Sequence, residues 1–294
     1  MSEPPKPQPR MLDPQGRPTL VALGQKKTPL VDLYHEMLVT PWRRLLGLMA
    51  ITYLSVNAIF ASLYMLGGDC VQGARRGHFE DYFFFSVHTT STIGYGSMWP
   101  KTLYAHSLVT VQVLLGMMLV ALGTGLAFAK FARPSARVRW SRHCVIRPFD
   151  GVPTLMFRMA NERANQIVEA RLSVNVVRDE VSSEGEKLRR FHPMRLVRES
   201  SPLFALSWTA LHPIDEQSPL HGKTLDELRA VRTEILVAFA GTDETFAQTV
   251  HARNSYTMDD LRFDHRFADI MEELPDGRRV MHYDRFDDVE PLPR

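Results

Sequence analysis

Residues 45–66 contain no Asp, Glu, Lys or Arg, and neither does the stretch between Lys101 and Lys130. Roughly 20 predominantly apolar residues suffice to cross the hydrocarbon core of a bilayer. No water is available there, so each stretch must satisfy its own backbone polar groups, and a helix is the simplest way to do so. Two such stretches constrain this chain more than any other feature, and they predict two membrane spans. At about 1.5 Å per residue the second is longer than the bilayer needs, so its surplus is expected to project beyond the membrane or be absorbed by tilt. Mean hydropathy is only −0.17, so the spans are a minority of the chain.

Orientation follows from Lys and Arg. Lys26, Lys27, Arg43 and Arg44 precede the first span, and Lys130, Arg133, Arg137, Arg139 and Arg142 follow the second. The segment between holds Arg75, Arg76 and Lys101. Both termini are therefore expected in the cytoplasm, the protein being placed in the inner membrane. Cys70 and Cys144 then lie on opposite sides and are not expected to pair.

The segment between the spans carries the most specific motif, Thr92-Ile93-Gly94-Tyr95-Gly96. Four copies of a T-[VI]-G-Y-G loop can aim backbone carbonyls at one axis and replace the hydration shell of K+. Gly94 and Gly96 permit backbone angles that other residues resist. Residues 79–90 (FEDYFFFSVHTT) are predicted to form a short helix descending toward that loop, its negative C-terminal end favouring a cation. K+ at this loop is the one ion expected to bind, and no cofactor is expected.

At 294 residues the chain has room for about two domains. Residues 1–31, rich in Pro and polar residues, are read as a largely disordered cytoplasmic arm, and 32–42 as an interfacial helix broken at Pro41. An outer span over 43–66, a loop, pore helix and filter over 67–102, an inner span over 103–130 and a linker over 131–141 follow. Residues 142–294 are read as a β-sandwich. There Val168, Ala170, Leu172, Val174 and Val176 alternate with Glu169, Arg171, Ser173 and Asn175, the period of a half-buried strand. Further strands are predicted over 153–159, 189–197, 204–212, 233–240, 246–253 and 279–285, and Thr224 to Glu227 forms a capping box. The fold class is thus an α + β membrane protein.

Further sites follow from these elements. Gln112, Gly116, Val120 and Thr124 recur every fourth residue and are read as a stripe facing a cavity. Gly123 and Gly125 can supply either flexibility or close helix packing. Arg43, Arg44, Lys130, Arg133 and Arg137 can hold anionic headgroups, although positive-inside topology alone also accounts for them.

Taken with AKFARPSA at 129–136, ANERANQIVEA at 160–170, FALSWTALHPIDEQSPL at 204–220 and HARNSY at 251–256, TIGYG resembles the prokaryotic branch of the inward rectifier potassium channels. The resemblance covers nearly all of the chain after the arm. It implies a homotetramer, an immunoglobulin-like sandwich assembly through which the pore continues, and regulation by anionic, phosphoinositide-like lipid. It makes Gly116 a hinge, Phe128 the aromatic gate at the bundle crossing and Glu169 a cytoplasmic pore acid. Mg2+ and polyamines become the expected cytoplasmic blockers. Several positions depart from the family pattern. Val120 stands where strong rectifiers carry Asp, Ala240 replaces a second pore acid, and Gln112 is neutral. His88 and Met98 replace a Glu–Arg pair, Cys70 lacks its disulfide partner, and Ser97 follows the filter where Asp is common. Weak rectification is expected.

Other classes fit less well. A membrane-tethered β-domain that senses a ligand above a non-conducting pore is the alternative, and K+-dependent, Ba2+-blocked flux separates it from a channel. An enzyme built on His212, Asp215 and His221 would need a nucleophile elbow, a metal spacing or a phosphate loop, none of which the sequence contains. These residues are expected to satisfy loop backbone groups instead. No G-x-G-x-x-G follows a strand, and a net charge of +2 argues against nucleic acid as a partner.

Overall fold

The computed structural model describes residues 10–13, 16–19, 29–132, 136–163 and 165–293. They form two compact units, one helical, the other β-rich and including residues 10–13 and 16–19 of the arm.

The helical unit begins with α1 (Pro29–Val39), and Pro41 separates it from α2 (Trp42–Leu66). Two short strands, β1 (Val71–Gln72) and β2 (Trp99–Pro100), pair antiparallel and close the segment between the long helices. Within that segment lies α3 (Phe79–Thr90), with Glu80 and Asp81 in its first turn, where they complement the helix dipole. The last helix, α4 (Leu103–Phe131), is N-capped by Thr102, whose hydroxyl accepts from the Ala105 N–H at 3.3 Å. α2 and α4 are long and apolar enough to cross a membrane. An apolar cluster around Phe60, Tyr64, Tyr82 and Phe85 joins α2 to α3.

In the β unit, β3 (Val138–Trp140), β4 (Cys144–Phe149) and β5 (Val152–Asn161) lead into the long β6 (Ile167–Val181). Then come β7 (Lys187–Met194), β8 (Ser200–Phe204) and β9 (Ser207–Pro213). The capping box predicted at Thr224 opens the short α5 (Leu225–Ala230). β10 (Glu234–Asp243), β11 (Gln248–Thr257) and β12 (Leu261–Phe263) follow. β13 (His265–Phe267) pairs with β16 (Val289–Pro291), and β14 (Met271–Glu273) with β15 (Arg279–Met281). One five-stranded sheet runs β11-β10-β6-β7 with β8 on β6; the other runs β12-β4-β5-β3 with β9 on β5. Both contribute to one core, in which Phe204 lies 5.3 Å from Phe239 and 6.3 Å from Trp208, ring centre to centre.

The alternation predicted along β6 holds from Ala170 to Val176 and breaks before it. Ile167 is buried and Val168 only half-buried. Between the pairs Ala240–Arg171 and Thr242–Val168, Glu169 and Ala170 oppose Gly241 alone. This is a β-bulge, and Glu169 takes a left-handed φ of 51° in it. One extra residue reverses the parity of the pleat, which moves Ile167 inward. A Cβ on Gly241 would lie 2.5 Å from Ile167 Cγ2, so a larger residue opposite the bulge would displace Ile167.

The arm also departs from the expectation of disorder where it is described. Leu12 and Pro18 form a β-bridge. The Met11 N–H donates to both carboxylate oxygens of Glu234, at 2.9 and 3.1 Å, and Arg10 reaches Asp260 at 2.8 Å. Glu234 is 1% exposed, and a buried carboxylate needs donors. Arg189 supplies one at 3.1 Å and the arm supplies the other. Residues 1–9, 14, 15 and 20–28 of the arm lie outside the described residues.

Cys70 and Cys144 are free and buried. Burial pushes the Cys144 thiol up. His212 is also buried, with Nδ1 2.7 Å from the Arg195 carbonyl and Nε2 2.7 Å from Ser218 Oγ. Burial lowers its pKa below 6.5, and it lowers that of His143 as well. The unfolded chain therefore binds more protons than the folded one just below that pH. Stability of the β unit should be complete above about pH 6.5 and should fall on acidification through the depressed values. Thermal unfolding of the full chain between pH 8 and 5 tests this. His212→Gln should flatten part of the slope, and an unchanged slope would show that His212 does not titrate differently on folding.

Candidate functional site

The motif at 92–96 follows directly on α3. The Ile93 N–H donates to the His88 carbonyl at 2.9 Å and the Thr92 N–H to the Thr89 carbonyl at 3.1 Å, so the loop leaves the helix in a tight turn. Thr92, Gly94 and Gly96 have left-handed φ values of 54°, 64° and 78°. Left-handed and ordinary residues therefore alternate along the loop, which turns successive carbonyls away from the positions they hold in a strand. Tyr95 is 73% exposed and Ile93 44% exposed within this single chain. His88 packs edge-on against Tyr95, ring centres 4.9 Å apart.

The stripe read on α4 splits in two. Gln112 and Gly116 are buried, whereas Val120 is 64% exposed and Thr124 is exposed. The expectation that Gln112 faces a cavity is therefore corrected. With 3.6 residues per turn, each step of four rotates about 40° around the helix, so three steps drift about 120°. The seam that α4 buries is instead Ala105, Gln112, Gly116 and Gly123, in which seven-residue steps limit the drift. Three of these are small residues that let backbones approach. A Cβ on Gly116 would sit 3.0 Å from the Thr90 carbonyl, and one on Gly123 would sit 2.7 Å from Met49 Cε. Phe128 is 74% exposed within the chain, and a Cβ on Gly125 would meet nothing.

Gln112 points into a polar cluster that the sequence reading missed. It receives the Tyr64 hydroxyl at 2.7 Å and donates toward Ser86 and Thr90 on α3, both of which also bond Asn57 on α2. The available signal was Asn57 itself, an amide in the middle of an otherwise apolar span. Such residues commonly bond across helices.

The basic residues separate by environment. Arg43 and Arg44 are exposed on the first turn of α2, and Arg137 is exposed in the β unit. Lys130 is engaged within its own unit. Its ammonium donates to the carbonyl of Leu38 at 3.0 Å and to that of Thr40, and lies 5.5 Å from the centre of the Trp42 ring. It caps the C-terminal end of α1, where a cation meets the helix dipole. Arg133 lies outside the described residues. Glu169 projects from its bulge and is exposed, and Ala240 lies beside it. Among the described residues, no group of three or more His, Cys, Asp or Glu is placed to hold a metal ion.

Two apolar helices bracketing a short helix and the loop at 92–96, followed in sequence by a β domain, are the elements of a two-span membrane channel. Residues 48–133 match a family described as "Ion channel", and residues 138–294 match "Inward rectifier potassium channel C-terminal domain". Inward rectifier potassium channel Kirbac3.1 of Paramagnetospirillum magnetotacticum is 44% identical over 288 residues, covering 98% of both chains. Inward rectifier potassium channel 18 of Homo sapiens is 28% identical over 90% of this chain and 67% of its own. Inward rectifier potassium channel 4 of Mesocricetus auratus is 34% identical over 69% of this chain and 48% of its own. The chain belongs to the inward rectifier potassium channel family. It is a membrane channel protein, not an enzyme.

Proposed function

We propose that the protein is a potassium-selective channel in which four chains surround one axis and the carbonyls of Thr92, Ile93, Gly94 and Tyr95 replace the hydration shell of K+. The observation that carries this reading is the alternation of left-handed φ at Thr92, Gly94 and Gly96. Such alternation can turn successive carbonyls to one side, which supports an array of oxygens aimed at an ion. In this reading α3 is the pore helix and the β unit is an immunoglobulin-like sandwich lining a cytoplasmic extension of the pore. Val120 and Thr124, exposed on α4, face the cavity, and four Phe128 rings form a gate that closes by dewetting. The termini lie in the cytoplasm of a cell whose inner membrane holds the channel.

Purified protein in liposomes tests the whole reading. K+-dependent flux blocked by Ba2+ is expected, and reversal potentials in K+/Na+ gradients should track the K+ gradient. Equal permeability to the two ions would refute it, and absence of flux in every lipid would favour a non-conducting, ligand-sensing protein.

Anionic lipid is the regulator that the boundary charges favour. Arg43 and Arg44 are exposed beside Trp42, at the level where headgroups lie. Each basic residue near an anionic leaflet contributes about 1 kcal/mol. Arg43→Gln and Arg44→Gln should each shift the half-effective lipid fraction by roughly fivefold. Lys130→Met should act differently, altering flux even in neutral lipid because it unties α1. A lipid titration unchanged in the arginine variants would leave them as topology signals only.

A further inference from the structure

The polar cluster behind the filter loop has a direction. Gln112 Nε2 carries two hydrogens and faces the Ser86 carbonyl at 2.9 Å, Ser86 Oγ at 2.6 Å and Thr90 Oγ1 at 2.7 Å. Ser86 Oγ and Thr90 Oγ1 each donate to Asn57 Oδ1, at 2.8 and 3.0 Å. A hydroxyl has one proton, so once it is committed to Asn57 the oxygen can only accept from Gln112. The outer ends are fixed as well. Asn57 Nδ2 donates to the Tyr53 carbonyl at 2.9 Å, and Gln112 Oε1 accepts from the Tyr64 hydroxyl at 2.7 Å. Turning either amide over would set its oxygen against a backbone carbonyl, that of Tyr53 for Asn57 and that of Ser86 for Gln112, acceptor against acceptor.

Asn57, Ser86 and Gln112 are fully buried and Thr90 is 6% exposed. Apolar side chains would fill this seam at lower desolvation cost, and interhelical hydrogen bonds add only modest stability in membranes. Directional bonds supply something packing does not: they select one rotation and one height for α3 between α2 and α4. Thr90 is the last residue of α3, two positions before Thr92. A Cβ on Gly116, one turn beyond Gln112, would lie 3.0 Å from the Thr90 carbonyl. The base of the filter and the middle of the inner helix therefore meet at one residue.

We propose that Asn57 and Gln112, acting through the Ser86 and Thr90 hydroxyls, are positioning residues that hold the filter in its K+-binding geometry. The inference rests on the filter reading given above.

The test uses full-length protein purified in detergent. Its thermal stability is titrated with K+ against Na+ at constant ionic strength, and reversal potentials are measured in liposomes. Gln112→Leu, Asn57→Leu and Thr90→Val should each raise the half-saturating K+ about fivefold to tenfold, the effect of one buried hydrogen bond, and should raise relative Na+ permeability. Thr90→Ser keeps the hydroxyl and should restore both. The Asn57→Leu/Gln112→Leu double variant should be little worse than either single change, because one break interrupts the chain. Stability in Na+ alone should move less than K+ affinity does. If the leucine variants do not fold, the Thr90 pair decides. A K+ midpoint within twofold of the unmodified protein, additive single effects, or Thr90→Ser as impaired as Thr90→Val would overturn the proposal. Unmodified protein with no K+-dependent stabilisation and no selectivity would instead remove the filter reading itself.

Discussion

Gly94→Ala is expected to abolish K+-selective flux in a protein that still folds. Gly94 holds a φ of 64°, and a Cβ built there meets no atom of its own chain within 4 Å. The obstacle is therefore conformational. A left-handed backbone costs an alanine roughly 1–2 kcal/mol, and in the proposed tetramer four chains bear that cost at once, roughly 4–8 kcal/mol for the ring. Relaxation toward negative φ turns the Gly94 carbonyl out of the array, and a site missing one ring of oxygens no longer offsets dehydration of the ion. Flux should drop at least 100-fold, the consequence of about 3 kcal/mol or more. Liposome flux and reversal potentials measure it. D-alanine introduced by semisynthesis at the same position adopts positive φ readily and should restore selective flux. Wild-type selectivity in Gly94→Ala would mean that these carbonyls are not the filter.

The second large effect concerns block by polyamines. The unmodified channel should rectify weakly, with shallow block by internal spermine or Mg2+. Val120, exposed on α4, brings no charge to the proposed cavity, and Ala240 brings none beside Glu169. In the proposed tetramer Glu169, on the bulge of β6, would offer one ring of acids, in a hydrated setting screened over about 8 Å at physiological salt. Val120→Asp would add four carboxylates in a low-dielectric cavity. A unit charge pair ~7 Å apart at an effective dielectric of ~20 attracts by roughly 2 kcal/mol. The half-blocking spermine concentration should therefore fall by at least 30-fold, with steeper voltage dependence, and Glu169→Gln should weaken block further in the parent protein. Current–voltage recordings with internal spermine decide the matter. Steep micromolar block of the unmodified protein would show that other acids line the pathway.

Much of the architecture was legible because it is local. A charge-free run sets where a helix can span, and Pro41 marks where one helix breaks from the next. Residues 79–90, read as a helix from the sequence, are helical over Phe79–Thr90. The capping box at Thr224 needed only four consecutive residues. Alternation along β6 was readable from Ala170 onward. These features depend on spacing along the chain, and spacing is what a sequence states directly.

Other features depended on which neighbour lies opposite. The bulge at Glu169 exists because Gly241 alone faces two residues of β6, a relation made by pairing strands far apart in sequence. Arg10 and Met11 are held by Asp260 and by the buried Glu234, on partners that no local pattern links to the arm. Lys130 carries the composition of a lipid ligand, yet it caps α1 because the carbonyls of Leu38 and Thr40 come within its reach. Gln112 fell on an apparent cavity stripe, but the 40° rotation of each four-residue step and the position of α3 turn it into a buried amide chain. The sequence by itself determined the two apolar helices, the glycine-bearing loop at 92–96 and the β character of the second unit, since each is a matter of short-range periodicity or backbone freedom. Only the tertiary structure decided what the polar side chains do, because a hydrogen bond is satisfied by whichever group packing brings within 3 Å, and that is a property of the assembled elements.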